Sequence, residues 1–206
     1  MTRSRGRGDA GQAFPIYITV VAGLLFLAFA YFAVGQAAVN RNGAQTAADA
    51  AALAAAQETR DQLAGRWLEV VRDPSKWQDI FDGEVPGLTS SCWRAYELAA
   101  HNDASVQRCE EPDVLRTSVT VQANKTAGDS VIPATSTTRA HASAVAVIDS
   151  LCTFEPPAED AEDDVLPMLT CEDGDGDRDW DLDPEDLADL PGPEDLFDVH
   201  LTSDAG

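Results

Sequence analysis

The chain has 206 residues, which suffices for one small domain with appendages, and it carries a formal net charge of −22. The charge is concentrated after Leu151, where twenty Asp and Glu residues face the single cation Arg178. A segment this acidic repels nucleic acid and anionic lipid, which excludes them as its partners. It is instead expected to be solvated or to bind cations or a basic partner.

An uncharged apolar segment lies near the N-terminus. Ile16 to Val34 contains no charged side chain, and the uncharged window extends to Val39. At about 1.5 Å per residue this segment spans the hydrocarbon core of a bilayer. A lone segment in lipid must satisfy its own backbone hydrogen bonds, so it has to be helical. We therefore predict a transmembrane helix over residues 14–39.

The flanks of this segment predict its orientation. Arg3, Arg5 and Arg7 precede it, and basic residues mark the cytoplasmic side, so residues 1–13 are expected in the cytoplasm and the C-terminus outside. The alternative is a cleaved signal peptide, whose apolar region normally has only about 7 to 15 residues. The greater length here favours a retained, single-pass anchor in the cell membrane.

An alanine-rich helix is predicted to continue the anchor as a stalk over residues 40–73. Ala44 to Gln57 is dominated by the residue with the best helix propensity, and Asp73-Pro74 ends the pattern. Small side chains allow close helix approach, so Ala47, Ala51 and Ala55 are predicted to pack against another helix. The alternative is a solvent-exposed spacer helix.

Two parts of this stretch carry a family resemblance. Gly11-Gln12-Ala13 leads into the apolar run, and Arg41 to Ala56 contains the string AADAAALAAA just beyond the anchor. Residues 6–60 closely resemble the N-terminus of TadE/TadG-like proteins of the tight-adherence (Flp-type) pilus assembly system. TadE-type members carry a glutamate five residues past the processing glycine, where this chain has Ile16, so the resemblance lies on the TadG-like side.

The resemblance implies a pilin-like helix and a non-enzymatic role. It implies a minor pilin, pseudopilin or assembly factor, with other pilin-like or Tad assembly proteins as partners, or a homo-oligomer formed through the N-terminal helix. A cell-surface binding module, tethered by the anchor and binding calcium or a basic partner through its acidic segment, is the alternative function.

A small extracytoplasmic α+β domain is predicted over residues 74–154. The stretch from Ser91 to Ala100 favours a short helix with a serine cap. Alternating residues predict two strands, Val114 to Ala123 and Ala140 to Ile148. A short antiparallel sheet packed on the outer end of the stalk would bury the apolar stripe that includes Trp67.

Four cysteines, Cys92, Cys109, Cys152 and Cys171, follow the predicted anchor. An even number outside the cytoplasm is compatible with two disulfides, and four cysteines allow three pairings, or some remain free thiols. Proximity in the sequence favours Cys92 with Cys109 and Cys152 with Cys171. The spacing does not support a zinc site.

Residues 155–206 are predicted to form an acidic, largely disordered tail. Within it, Asp173, Asp175, Asp177 and Asp179 alternate with other residues, and closely spaced carboxylates suit calcium, although the EF-hand template fails at its glycine and glutamate positions. The alternative is a solvated acidic run. Five apolar residues on this acidic background are interpreted as contacts for a basic groove of a partner, or else as part of a disordered segment: Leu187, Leu190, Leu196, Phe197 and Val199. The chain offers no catalytic constellation and no cofactor motif other than this calcium candidate.

Overall fold

One continuous helix, α1, runs from Ala13 to Glu69. The computed structural model describes residues 13–126, 139–156, 166–174, 176–183 and 189–202, so residues 1–12 of the predicted cytoplasmic segment lie outside them. At about 1.5 Å per residue, the 57 residues of α1 extend roughly 85 Å. Neither Gly35 nor Gly43 interrupts the helix, so the predicted anchor and stalk form one rod.

The helix ends one turn before the predicted stop at residue 73. Asp73 leaves the helical conformation, which a residue before proline disfavours, and its backbone N–H donates to the Val70 carbonyl. Hydrogen bonds from Lys76 and Ser75 hold the pKa of the Asp73 carboxyl below its ordinary value. The Asp73-Pro74 pair therefore stops α1 and turns the chain back.

Short elements make up the rest of the described fold. The helical ones are a 3-10 turn (Pro74–Lys76), α2 (Trp77–Phe81), α3 (Cys92–His101) and α4 (Pro193–Leu196). The strands are β1 (Ala104–Asp113), β2 (Arg116–Thr126), β3 (Arg139–Ser150), β4 (Cys152–Phe154), β5 (Leu169–Asp173), β6 (Gly176–Trp180) and β7 (Phe197–Thr202).

The main sheet has four antiparallel strands in the order β1-β2-β3-β7. Its inner face contributes Val119 and Val121 from β2 and Ala146 and Ile148 from β3, all buried. This face packs on the C-terminal half of α1, and α3 also packs against α1. The predicted α+β plan, a long helix followed by a small antiparallel sheet, is confirmed.

A second sheet of three antiparallel strands, in the order β4-β5-β6, lies near the C-terminal end of α1. A cluster of aromatic side chains connects this second sheet to α1 and to the main sheet. The ring of Trp77 lies 5.4 Å from that of Trp67 on α1 and 5.1 Å from that of Phe154 on β4, and Phe81 lies 5.8 Å from Phe197. The predicted burial of the Trp67 stripe is therefore confirmed.

The prediction of a disordered acidic tail over residues 155–206 is wrong for the part that the structure describes. The strands β5, β6 and β7 and helix α4 all lie in that segment, and β7 completes the main sheet by pairing with β3. Leu196 and Phe197, interpreted as contacts for a partner, are buried in the core, Leu190 and Val199 are partly buried, and Leu187 lies outside the described structure. The few apolar residues that face the core, with Leu169 and Leu182 among them, are enough to fold this acidic segment onto the domain. The domain thus extends past the predicted boundary at residue 154, while residues 157–165 and 184–188 lie outside the described structure.

Candidate functional site

The N-terminal, inner half of α1, Phe14 to Val39, is exposed along its length. Its large apolar side chains are exposed, with Phe26 at 71% and Tyr31 at 84% of their full accessibility. Within the described structure α1 is the single helix that is long and apolar enough to cross a membrane, and none of its most apolar window is buried. So much apolar surface is unfavourable in water, which indicates that this half lies in another medium or against another molecule.

The outer half of α1 has the opposite environment. From Ala44 to Ala56 most alanines are buried, and α1 lies against β2, β3, β7 and α3. The three alanines predicted to meet a sister helix, Ala47, Ala51 and Ala55, have no exposed surface at all. Their small side chains lie against the chain's own domain, and packing against the helix of another chain stays a prediction.

The boundary between the two halves is sharp. Asn40 follows the apolar segment directly, and its Nδ2 donates a hydrogen bond to the carbonyl of Thr126, 3.2 Å away at the end of β2. One turn further along, the Nε2 of Gln45 lies 3.4 Å from the carbonyl of Ser143 on β3. The domain therefore begins within one helical turn of the end of the apolar segment.

Buried polar groups join α1 to α3. Thr59, 7% exposed, donates from Oγ1 to the Oγ of Ser91, which is fully buried at the start of α3. Ser91 also accepts from Gln62, and its backbone N–H donates to Glu111. Ser91 is the N-cap residue of α3 as predicted, yet its hydroxyl serves this contact and not the helix backbone.

Both disulfides form with the pairing that sequence proximity favoured. Cys92 at the start of α3 is bonded to Cys109 on β1, and Cys152 on β4 is bonded to Cys171 on β5. The second pair stands directly opposite in the strand register. Each disulfide therefore joins neighbouring elements of the domain.

The acidic alternation forms the β5–β6 hairpin and not a calcium-binding loop of EF-hand type. Asp177 and Asp179 are exposed on β6, opposite Glu172 and Thr170, and Thr170 donates to Asp179. Asp175 and the side chain of Asp173 lie outside the described structure. Among the described residues no three Asp, Glu, His or Cys side chains are placed to hold a metal ion. Calcium binding by the four aspartates stays a prediction.

Comparison with known proteins identifies the N-terminal segment. Residues 11–58 match the model of the Tad family, described as Flp pilus-assembly TadE/G-like. No curated protein and no solved structure matches the chain. The match covers the exposed apolar half of α1 and most of its buried alanine half, which confirms the resemblance that the sequence predicted. The outer domain beyond residue 58 lies outside the match.

Proposed function

We propose, from this Flp pilus-assembly segment, that the chain is a single-pass membrane protein that acts in building a tight-adherence pilus. It serves as a minor-pilin-like subunit or assembly factor and not as an enzyme. One observation carries the proposal: within the matched segment, a helix whose large apolar side chains are exposed passes without interruption into a half that its own domain covers.

The proposed topology follows from the flanks of the exposed half. Three arginines lie on its N-terminal side, which supports a cytoplasmic position for that side. The two disulfides lie in the domain on the other side, and disulfides persist in oxidising compartments outside the cytoplasm. Charge and cysteine chemistry thus support the same orientation.

The proposed helix packing involves the exposed half of α1. The domain covers Ala47, Ala51 and Ala55, which supports assigning contacts with sister helices or with other Tad proteins to the exposed half. Gly23 lies within that half, and a Cβ added there would meet nothing within 4 Å. Small residues let helices in lipid approach closely, so Gly23 marks the face that we propose for lateral contact.

The membrane anchor is tested by placing a charge at its centre. Leu25→Arg should lower membrane insertion, because arginine at the middle of a spanning helix costs about 2.5–3.5 kcal/mol. Leu68→Arg is the matched control, since Leu68 is an exposed leucine of the same helix within the domain. The readouts are resistance to alkaline extraction and restoration of pili in a deletion strain. Equal extraction of the two variants would refute the anchor.

Lateral contact is tested separately, with insertion retained. Gly23→Leu should lower co-purification with Tad proteins or with a tagged second copy, while the protein stays in the membrane. Gly65→Leu is the control, because Gly65 is exposed on the domain part of α1 and a Cβ there also meets open space. Unchanged co-purification by Gly23→Leu would contradict packing through this face.

A further inference from the structure

The end of the domain nearest the apolar segment carries exposed cations. Arg41 follows Asn40 on α1, and Lys125 precedes Thr126, the residue that accepts the Asn40 hydrogen bond. Arg139 begins β3 and is the register partner of Thr126. All three cations are exposed, and they come from three separate elements, α1, β2 and β3. We call these three residues the basic collar.

The position of the basic collar along α1 places it at lipid headgroup depth if α1 spans the bilayer. The charge-free run from Phe14 to Val39 is about 39 Å long, while the hydrocarbon core takes about 30 Å and the headgroups several more ångströms on each side. Arg41 therefore emerges among the headgroups. The hydrogen bond from Asn40 to Thr126 holds the ends of β2 and β3 at that same level.

The opposite end of the domain has the opposite charge. Trp67 lies 27 positions after Asn40 along α1, roughly 40 Å away, and the aromatic contacts through Trp77 place Phe154 of the second sheet beside it. That sheet exposes Glu172, Asp177 and Asp179. Anionic lipid would attract the basic collar and repel this far end, so both charges favour one orientation. Asp103 neutralises part of the basic collar by pairing with Lys125 at 2.6 Å.

We propose that the basic collar, Arg41, Lys125 and Arg139, binds the headgroups of anionic phospholipids in the leaflet from which α1 emerges. The docking fixes the domain upright on its anchor, ready for contact with neighbouring subunits. This inference rests on the proposed spanning of the membrane by α1. A cation near an anionic membrane surface strengthens binding roughly fivefold, so the effect is electrostatic and sensitive to salt.

The test compares the full-length chain in nanodiscs of phosphatidylcholine alone with nanodiscs that also contain phosphatidylglycerol. Amide hydrogen exchange is followed in peptides that cover the ends of β2 and β3, at Asn124–Thr126 and Arg139–His141. Exchange should be severalfold slower in the anionic discs, and the difference should disappear at raised salt. The double variant Lys125→Gln/Arg139→Gln should remove the difference.

The matched control is Lys76→Gln/Arg94→Gln, which removes the same charge from two ion-paired residues remote from the basic collar. It should keep the lipid difference. Equal exchange of the natural chain in both lipids, or loss of the difference in the control, overturns the docking. Insertion is measured independently, by co-elution of the chain with the discs. A chain that fails to insert refutes the anchor as well as the docking. An inserted chain whose amide exchange does not depend on the lipid refutes only the docking.

Discussion

Thr59 and Ser91 form a hydrogen bond of 2.7 Å between their hydroxyls, buried where α1 meets the start of α3. Thr59→Val keeps the shape of the side chain and removes this donor. We expect the free energy of unfolding to fall by about 0.5–1.5 kcal/mol, the range for one net hydrogen bond, because the Ser91 Oγ still accepts from Gln62. The measurement is denaturant unfolding of the full-length chain in detergent.

A double-mutant cycle isolates the Thr59–Ser91 pair. Ser91→Ala alone also removes the bond from Gln62, so its effect should exceed that of Thr59→Val. The double variant should lose less than the sum of the two single changes, because the shared bond is counted twice. Additive losses would show that the two hydroxyls do not interact.

The alanines of α1 are buried in the domain. Replacing one of them by a larger residue should therefore lower the stability of the domain and should not block assembly directly. Ala51 has no exposed surface, so Ala51→Leu forces extra volume into a packed contact and should cost about 1–3 kcal/mol. Thr46→Leu, on the exposed side of the same helix, should leave the unfolding free energy unchanged. If Ala51→Leu instead preserves stability and abolishes complex formation, the alanine face contacts a partner.

The helix was predictable because its signals are local. The absence of charged residues predicts the helix in its exposed half, and the high helix propensity of alanine predicts it in its buried half. Asp73-Pro74 predicts the end of the helix to within one turn. The strands β2 and β3 were also readable: Val119, Val121 and Ala123 of β2 alternate with polar residues, and β3 alternates over residues 140–144 before it becomes continuously apolar.

The missed elements depend on distant partners. β1 is an edge strand whose sequence, ASVQRCEEPD, is mostly polar and exposed, so no alternation marks it. β7 does alternate, with Phe197 and Val199 two residues apart, but the acidic composition around it favoured disorder. The contact between Asn40 and Thr126 joins residues 86 positions apart, and no local pattern reveals such a pair.

The last strand is therefore predicted to be essential to the domain. Phe197 is 1% exposed and packs on Phe81, so Phe197→Ala should cost about 3–5 kcal/mol of unfolding free energy. Leu201→Ala, on the same strand but 36% exposed, should cost far less. Thermal unfolding of both variants provides the measurement. Equal, negligible effects would restore the interpretation of this segment as a tail.

Each disulfide is predicted to stabilise the domain. The loops they close span 17 and 19 residues, for which the loss of unfolded-chain entropy corresponds to about 3 kcal/mol per bond. The paired variants Cys92→Ser/Cys109→Ser and Cys152→Ser/Cys171→Ser should each lower the melting temperature of the full-length chain. Reductant should lower it in the natural chain and have a smaller effect on either variant. A melting temperature indifferent to reductant would contradict the prediction.

The alternating aspartates Asp173, Asp175, Asp177 and Asp179 predict saturable calcium binding. Residues two apart on a strand share a face, so Asp177 and Asp179 place their carboxylates on the same side of β6. Oxygen ligands of this kind suit calcium, which should raise the melting temperature with a saturating dependence on concentration. Asp177→Asn/Asp179→Asn should abolish that shift, whereas Asp79→Asn/Asp82→Asn, on and just after α2, should preserve it. A shift that grows without saturation, or that both pairs reduce equally, would show general screening of the acidic surface and no site.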